Sequence, residues 1–197
     1  MKESIKELIQ KEINAIKGIP LNNNYEEAIN IILHWIHESG GKLVTSGMGK
    51  AGQIALNISS TLNSTGTPSV YLHPSEAQHG DLGILQQNDI LILLSNSGKT
   101  REILELIELS KNMYPHIAII CITGDKDSIL ANKSDITIHT GNTKEVCPLG
   151  LTPTTSTTLM KVIGDILIVE LIKKIKFTKK AYSQRHHSGY LGQKSKE

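Results

Sequence analysis

A cluster of hydroxyl side chains stands directly after an apolar run of the sequence. The run Leu91–Leu94 leads into Ser95, Asn96 and Ser97 and, after one glycine and one lysine, into Thr100, where a helical pattern begins. The first turn of a helix offers unpaired backbone N–H groups and the positive end of the helix dipole, and hydroxyls donate hydrogen bonds to phosphate oxygens. The pattern therefore predicts an anion site at this turn.

A second turn of the same kind stands earlier in the chain. A strand pattern that starts at Lys42 runs to Ser46, and Gly47-Met48-Gly49-Lys50 follows before another helical pattern. The carboxyl ends of parallel strands share one edge of a sheet, so two such turns predict one ligand that carries phosphate. The hydroxyls predicted to bind it are Ser46, Ser95, Ser97 and Thr100. The competing interpretation is that these hydroxyls only cap helices.

Two nucleotide-binding motifs fit the sequence only in part. Residues 47–52 match G-x-G-x-x-G, but the next strand pattern ends Tyr71-Leu72-His73-Pro74, without the acidic residue that binds a ribose. Gly98-Lys99-Thr100 resembles the end of a P-loop, but the required earlier glycine falls at Leu93, inside a strand pattern. We therefore expect a phosphate ligand that is neither a dinucleotide nor ATP.

The elements that must position these turns alternate along the chain. Continuous apolar runs are typical of parallel strands covered on both faces, and apolar residues three or four apart are typical of amphipathic helices. Strands are predicted at 42–46, 69–72, 90–95, 117–123 and 136–140, and helices at 2–17, 25–38, 50–63, 100–113 and 154–176. This pattern predicts an α/β fold, a three-layer sandwich whose five-stranded, mostly parallel sheet has helices on both faces.

Composition and charge exclude several function classes. Over 197 residues the formal net charge is +2 and aromatic residues make up 4%, which disfavours nucleic-acid binding. No apolar run approaches the roughly 20 residues of a membrane span, and the amino terminus does not resemble a signal peptide. The two cysteines, Cys121 and Cys147, indicate reduced thiols. We expect one domain over residues 1–197, beginning with helices over 1–40, in the cytoplasm and without a membrane partner.

Several further runs give the chain a specific resemblance. They are Ser64–Pro68, His73–Ala77, His79–Gly83, Glu145–Leu151 and Pro153–Thr158. With the two hydroxyl turns, these motifs extend from about residue 42 to 192, and the chain resembles the sugar isomerase (SIS) domain family, within it the arabinose-5-phosphate isomerases. The resemblance implies a flavodoxin-like fold and an enzyme that interconverts D-arabinose 5-phosphate and D-ribulose 5-phosphate. It also implies that the product feeds synthesis of Kdo, an acid of lipopolysaccharide, that no organic cofactor is used, and that a homotetramer or homodimer shares its active sites between subunits.

The resemblance implies roles for particular residues. Glu145 matches the family's catalytic base, His186 matches a histidine that opens the sugar ring or moves a hydroxyl proton, and Lys50 matches a lysine that stabilises the enediolate. The segment 178–197 is therefore expected to contribute to the active site. The expected substrate-binding residues are Ser46, Gly47, Gly49, Ser95, Asn96, Ser97, Lys99, Thr100 and His187. Because His187 stands where the family has proline, which of the two histidines acts stays open.

Two further expectations concern Glu145 and His79. The largely apolar run after Glu145 predicts a partly desolvated carboxyl group with a raised pKa. His79 matches a family position associated with zinc, as an inhibitor, and His73 and Asp81 stand close enough in the sequence to form a partial metal site with it. A structural loop is the competing interpretation.

The chain departs from the family at one residue and in its length. Lys99 stands where arabinose-5-phosphate isomerases commonly have glutamate. This reversed charge is expected either to strengthen phosphate binding or to favour a carboxylate ligand such as Kdo or CMP-Kdo, acting as a feedback ligand. The long form of the family continues into paired cystathionine-β-synthase-type modules, whereas this sequence ends at Glu197, so regulation through such modules is not expected.

Two other functions compete with this isomerase. One is a non-catalytic phosphosugar sensor, since the same domain serves transcription regulators. Those regulators carry a DNA-binding module ahead of the domain, and about 40 residues precede the first predicted strand here. The other is an isomerase of a different sugar phosphate.

Overall fold

The centre of the fold is a parallel sheet. A computed structural model describes residues 1–141 and 143–195, and within them the sheet has five strands. The strands are β1 Leu43–Gly47, β2 Ser69–Tyr71, β3 Ile90–Leu94, β4 Ala118–Thr123 and β5 Ile136–His139. They pair in the order β2-β1-β3-β4-β5, and each of these pairings is parallel. The predicted fold class is confirmed, with a wholly rather than mostly parallel sheet. The expected domain 1–197 includes Asn142, Lys196 and Glu197, which lie outside the described residues.

Helices cover both faces of this sheet. They are α1 Lys2–Lys17, α2 Tyr25–Ile32, α3 Gly49–Ser64, α4 Pro74–Ala77, α5 Arg101–Met113, α6 Ile129–Lys133, α7 Thr155–Lys174, α8 Lys179–Ser183 and α9 Gly189–Lys194. The predicted helix 25–38 ends as α2 and continues as a π-helical turn over Leu33–Glu38. The helices α4, α6, α8 and α9 were not predicted, because such short segments show no readable periodicity. Over the described residues, no helix combines the length and the apolar character that crossing a bilayer requires.

The central strands are apolar along their whole length because each face of the sheet contacts helices. Along β3, Ile90, Ile92 and Leu94 pack into one cluster with α2, α3 and α7. The alternate residues Leu91 and Leu93 pack into a second cluster with α5 and α6. This alternation follows from the strand geometry, in which successive side chains point to opposite faces.

The strand order creates a crevice at one edge of the sheet. From β1 the chain passes through α3 to β2 on one side, whereas β3 continues through α5 to β4 on the other. In open α/β sheets, ligands bind where the strand order reverses in this way, beyond the carboxyl ends of the strands. The reversal here lies between β1 and β3, the two strands that the hydroxyl and glycine turns follow.

Candidate active site

The turn between β3 and α5 carries the hydroxyl cluster. Ser95 directly follows the buried strand, and its Oγ lies 2.8 Å from Oγ1 of Thr100, the residue before α5. Gly98 has a φ of 61°, and a Cβ added there would lie 2.1 Å from a neighbouring serine Oγ, so this turn requires glycine. Ser97 is exposed and accepts a hydrogen bond from the Lys99 N–H at 3.2 Å. In that contact Ser97 is the acceptor, so its own proton is left to donate to a ligand.

The turn between β1 and α3 is built from glycines and ends in a lysine. Gly47 packs against the backbone of Ala51, where an added Cβ would lie 2.8 Å from the carbonyl carbon. Gly49 has a φ of 58°, a conformation that favours glycine. The chain therefore passes directly from strand into helix, and Lys50 lies exposed on the first turn of α3.

Ser46 is not part of this surface. It is 0% exposed within β1, and its Oγ donates a 2.7 Å hydrogen bond to the carbonyl oxygen of Leu72. The prediction that Ser46 binds phosphate is therefore corrected: its hydroxyl is buried and already bonded to the segment that follows β2.

Glu145 reaches the same edge of the sheet from the loop between β5 and α7. Its Oε2 accepts hydrogen bonds from the Thr154 N–H at 2.7 Å, the Thr154 hydroxyl at 3.0 Å and the Ser156 N–H at 3.3 Å. The carboxylate thus caps the N-terminus of α7. These three hydrogen bonds all end on Oε2, and none of them engages Oε1.

The pKa of the Glu145 carboxyl group is lowered from its usual 4.5. Burial by itself raises the pKa, but the hydrogen bonds from Ser156 and Thr154 stabilise the charged form and outweigh burial. The prediction of a raised pKa is therefore wrong. The loop is partly buried, as expected, but α7 also supplies donors to the carboxylate, and Glu145 is ionised at neutral pH.

These turns and the Glu145 loop surround one cavity. Its volume is about 310 Å³, within the range of small-molecule sites. The predicted site residues that line it are Lys50, Ser95, Asn96, Ser97, Thr100 and Glu145. The rest of the lining consists of Met48, Ala51, Leu94, Gly150, Leu151, Pro153, Ser156, Thr157 and Met160. Gly47, Gly49 and Lys99 adjoin these residues in the sequence and shape the two turns, but are not part of the lining.

Three helices point their N-termini at the cavity. The helices α3, α5 and α7 begin at or beside residues of its lining. Glu145 caps α7, whereas α3 and α5 receive no side-chain cap from the residues that the structure describes. The free N–H groups and dipoles of α3 and α5 favour an anion, while the charge of Glu145 disfavours one beside α7. An anion therefore fits at α3 and α5, opposite the carboxylate.

The C-terminal segment lies at the other end of the molecule. The 20 residues of α7 carry the chain about 30 Å from the cavity. There the Phe177 ring packs on the glycine that precedes β2, and the Arg185 guanidinium lies 5.2 Å from the centre of that ring. His186 stacks on Tyr182, with 3.8 Å between the ring centres. Within one chain, neither His186 nor the adjacent His187 is brought to the cavity.

The residues around His79 do not fit a zinc site within one chain. His79 is exposed beyond the end of α4. His73 and Asp81 line a separate cavity whose lining does not include His79. Over residues 1–141 and 143–195, no group of three or more His, Cys, Asp or Glu side chains is placed to hold a metal, and zinc takes three or four protein ligands.

Sequence reasoning missed Thr154 and Ser156 as functional residues. These residues hold the Glu145 carboxylate. The Ser/Thr-rich run 154–158 before a long apolar helix carries the signal of a helix start. That signal does not say which distant side chain completes the cap, so Glu145 could not be assigned to it.

Comparison with known proteins places this geometry in context. The SIS domain model matches residues 36–170. The arabinose 5-phosphate isomerase KdsD of Francisella tularensis is 40% identical over 190 residues, which are 95% of this chain and 57% of that protein. The KdsD of Escherichia coli K12 is 46% identical over 154 residues, 78% of this chain and 46% of that protein. The chain thus spans about half the length of the curated relatives it matches.

Two solved structures resemble the whole described fold. A Bacteroides fragilis protein, described as a candidate phosphosugar isomerase involved in capsule formation, is 62% identical with a TM-score of 0.95, and the match covers 96% of this chain and 99% of that one. An Escherichia coli protein in complex with arabinose 5-phosphate is 35% identical with a TM-score of 0.86, and the match covers 93% of this chain and 96% of that one.

Proposed function

Because the chain belongs to the SIS domain family, we propose that it is an aldose–ketose isomerase that interconverts D-arabinose 5-phosphate and D-ribulose 5-phosphate, and so supplies Kdo and lipopolysaccharide synthesis. The observation that carries the proposal is that one cavity of about 310 Å³ has the hydroxyls of the β3–α5 turn and the Glu145 carboxylate in its lining. The relatives named arabinose 5-phosphate isomerase and the similar structure in complex with arabinose 5-phosphate support the choice of substrate.

The phosphate of the substrate binds at α3 and α5 in this proposal. The donors on that side of the cavity are the hydroxyl of Ser97, one hydroxyl of the hydrogen-bonded pair Ser95 and Thr100, and the N–H groups of these two helices. A phosphate beside Glu145 would place two negative charges together, which costs free energy. The sugar therefore extends from the α5 side toward α7, and its carbonyl end meets Glu145.

Glu145 transfers the proton between the two carbons. Its Oε1 removes the proton from C2 of the open-chain aldose, and the electrons move to the C1 oxygen to form an enediolate. The carboxyl group then returns the proton to C1, while the proton of the C2 hydroxyl passes to the C1 oxygen, which leaves a ketone at C2 and a hydroxyl at C1. Because the lowered pKa makes Glu145 a weak base, the enediolate must be stabilised by other groups. Lys50, which also lines the cavity, is the cation for this role.

The active site is completed by a second copy of the chain in this proposal. The side chains of Ile5, Ile9 and Ile13 on α1 are 50%, 55% and 39% exposed, which is typical of a face that another subunit covers. His186 lies far from the cavity of its own chain. A homodimer or homotetramer in which the segment 178–195 reaches a neighbouring cavity would deliver His186 or His187 to move the hydroxyl proton.

A mixing experiment tests this sharing of the site. Glu145→Gln chains and chains that carry both His186→Gln and His187→Gln, each expected to be inactive, are unfolded together and refolded. If the histidine acts across subunits, a random dimer mixture regains about a quarter of the wild-type activity, since one site in each mixed pair is intact. No recovery would show that the histidine serves its own chain or none. Light scattering on the same samples gives the oligomer size.

The proposal includes three statements, about an organic cofactor, about zinc and about the cellular location of the enzyme. The reaction uses no organic cofactor, because proton transfer between adjacent carbons needs only a base and a stabilised enediolate. Zinc, if it binds at His79, acts as an inhibitor and needs ligands from outside one chain. Full activity after exhaustive dialysis supports the first statement, and activity lost on dialysis contradicts it. Activity that a chelator leaves unchanged or raises supports the second statement, and activity lost on chelation contradicts it. The enzyme acts in the cytoplasm, in keeping with its two free thiols.

Kdo or CMP-Kdo is proposed as a feedback ligand of the same cavity. Lys99 is exposed at the turn beside Ser97, where its ammonium group would attract the carboxylate of either molecule. Isothermal titration with both ligands should show weaker binding to Lys99→Glu than to the wild type. Equal binding by the two proteins would contradict a role for Lys99.

Solvent deuterium incorporation tests the isomerase itself. In D2O, NMR should show deuterium at C1 of ribulose 5-phosphate and at C2 of recovered arabinose 5-phosphate, and no exchange into arabinose without phosphate. Binding of arabinose 5-phosphate without exchange would instead identify a phosphosugar sensor. Faster exchange into another sugar phosphate would identify a different isomerase.

A further inference from the structure

The N-terminal helix makes one polar contact with the start of α7. Oε1 of Glu12, on α1, lies 2.8 Å from Oγ1 of Thr155 and accepts its hydrogen bond. Thr155 is 1% exposed, so the contact is shielded from water. Glu12 precedes residues 36–170, the part that the SIS domain model matches.

The direction of this hydrogen bond follows from its neighbours. Oγ1 of Thr155 also lies 3.1 Å from the backbone nitrogen of Val146, and an N–H can only donate. The Thr155 hydroxyl is thus the acceptor toward Val146, and its single proton is free to point at Glu12. The Glu12 carboxylate, which only accepts when ionised, fixes the hydroxyl in the orientation that receives the Val146 N–H.

The chain of contacts ends at the residue after Glu145. Thr154 and Ser156 hold the Glu145 carboxylate directly, while Thr155 holds the backbone one residue further on. We propose that Glu12 is a positioning residue, which acts through Thr155 to fix the loop that carries Glu145. This inference rests on the proposed function, since it assigns Glu12 a role in the reaction of that site.

The second oxygen of Glu12 argues against a purely stabilising role. Oε2 is buried and has no hydrogen-bond partner within the part of the chain that the structure describes. A buried carboxylate oxygen without a partner lowers stability. A buried polar atom that lowers stability in this way is typical of a residue that serves the site rather than the fold.

Kinetics of matched variants test the positioning role. Glu12→Ala should lower kcat about 10–100-fold, because a loop displaced by an ångström costs a rate of that order, with KM changed less than about two-fold because the phosphate contacts lie elsewhere. Glu12→Gln keeps an acceptor oxygen and should recover most of kcat. Glu7 is an exposed glutamate of the same helix. The control variant Glu7→Ala should have the kcat and KM of the wild type.

A double-mutant cycle and hydrogen exchange separate this inference from the proposed function. Thr155→Val should lower kcat as much as Glu12→Ala, with no further loss in the double variant, while Thr155→Ser keeps the hydroxyl and most of the activity. The Val146 amide should exchange faster in Glu12→Ala and in Thr155→Val, as NMR measures without substrate. If Glu12→Ala does not fold, the positioning role is tested by Glu12→Gln and by the comparison of Thr155→Val with Thr155→Ser.

The outcomes are distinct. An unchanged Val146 exchange rate in folded Thr155→Val or Glu12→Ala overturns the contact. Faster exchange with an unchanged kcat overturns the positioning role. If the wild-type protein has no isomerase activity, the proposed function is overturned, and so is the role of Glu12 in that reaction. The exchange rate of the Val146 amide still shows whether Glu12 holds the loop.

Discussion

The two edges of the sheet use polar groups in opposite ways. At the amino edge, the Asp89 carboxylate is 0% exposed and accepts hydrogen bonds from Lys42 Nζ at 2.6 Å, the Lys42 N–H at 2.9 Å and the Gln86 N–H at 2.8 Å. At the carboxyl edge, α3 and α5 begin without a side-chain cap from the described residues. Polar groups that find partners inside the chain stabilise the fold, whereas groups left without them form a site for a ligand.

Glu145 combines both situations at the carboxyl edge. Its Oε2 is bonded to the start of α7, as in a structural cap, while Oε1 accepts none of these hydrogen bonds and the residue lines the cavity. The cap holds the carboxylate in place and lowers its pKa. A fixed, ionised carboxylate opposite an anion site is the arrangement that proton transfer on a phosphorylated sugar requires.

The largest effect should come from Glu145→Gln, which removes the base and keeps the shape. The amide oxygen can still accept from Thr154 and Ser156, so the thermal midpoint should stay close to that of the wild type. We expect kcat to fall about 10²–10⁴-fold with little change in KM, as on loss of a general base. Glu26→Gln, an exposed residue of α2, is the control. Unchanged turnover would remove Glu145 from the reaction.

At the opposite edge, Asp89→Ala should lower stability and leave the chemistry intact. Removal of the carboxylate leaves the Lys42 and Gln86 donors without their acceptor, and we expect a loss of about 3 kcal/mol in the free energy of unfolding. Urea denaturation measures this loss. Glu108→Ala breaks the more exposed ion pair with Lys133 and should cost below about 1 kcal/mol. A large fall in the kcat of folded Asp89→Ala would contradict the claim that polar groups at the amino edge serve only stability.

Two serines of neighbouring segments, Ser46 at the end of β1 and Ser97 in the turn after β3, allow a comparison within the carboxyl edge. Ser97→Ala removes a donor from the cavity, and because a hydrogen bond to a charged group contributes about 1.5–3 kcal/mol, KM and the Ki for inorganic phosphate should rise about 10–100-fold. Ser46→Ala removes a hydroxyl that is bonded to the Leu72 carbonyl and should change stability but not Ki. Equal effects of both variants on Ki would contradict the assignment of the anion to α5.

The smallest effect concerns the acid titration of Glu145. Its carboxyl 13C signal should titrate below 4.5, and Thr154→Val, which removes one donor, should raise that pKa. Because the pKa is lower in the folded state, the stability that Glu145 contributes is present above its unfolded pKa and is lost as the pH falls through the folded value. Unfolding measured at several pH values should therefore show a weaker acid dependence in Glu145→Gln. A titration midpoint above 4.5 would contradict the cap.

Local patterns predicted the fold well because the apolar spacing of a strand or a long helix can be recognised from a few neighbouring residues. Apolar spacing alone predicted the bounds of α1, residues 2–17. It also predicted the start and the end of β3 to within one residue. The hydroxyls at Ser95, Ser97 and Thr100 were found for the same reason, since one turn carries them all.

The features that sequence did not predict depend on partners far apart in the chain. Ser46 has the same residue type as Ser95, yet a carbonyl 26 residues away takes its hydroxyl. The apolar run beside Glu145 predicted burial but not the donors on α7. The position of His186 depends on the length and direction of α7, which a motif does not encode.

The most direct test of this assignment is a crystal structure with arabinose 5-phosphate bound to Glu145→Gln. We expect the phosphate at the N-termini of α3 and α5, within hydrogen-bond distance of the Ser97 hydroxyl, and C1 or C2 of the sugar next to residue 145. A phosphate bound beside α7, or a sugar whose carbonyl end lies out of reach of residue 145 from every subunit, would contradict the proposed site.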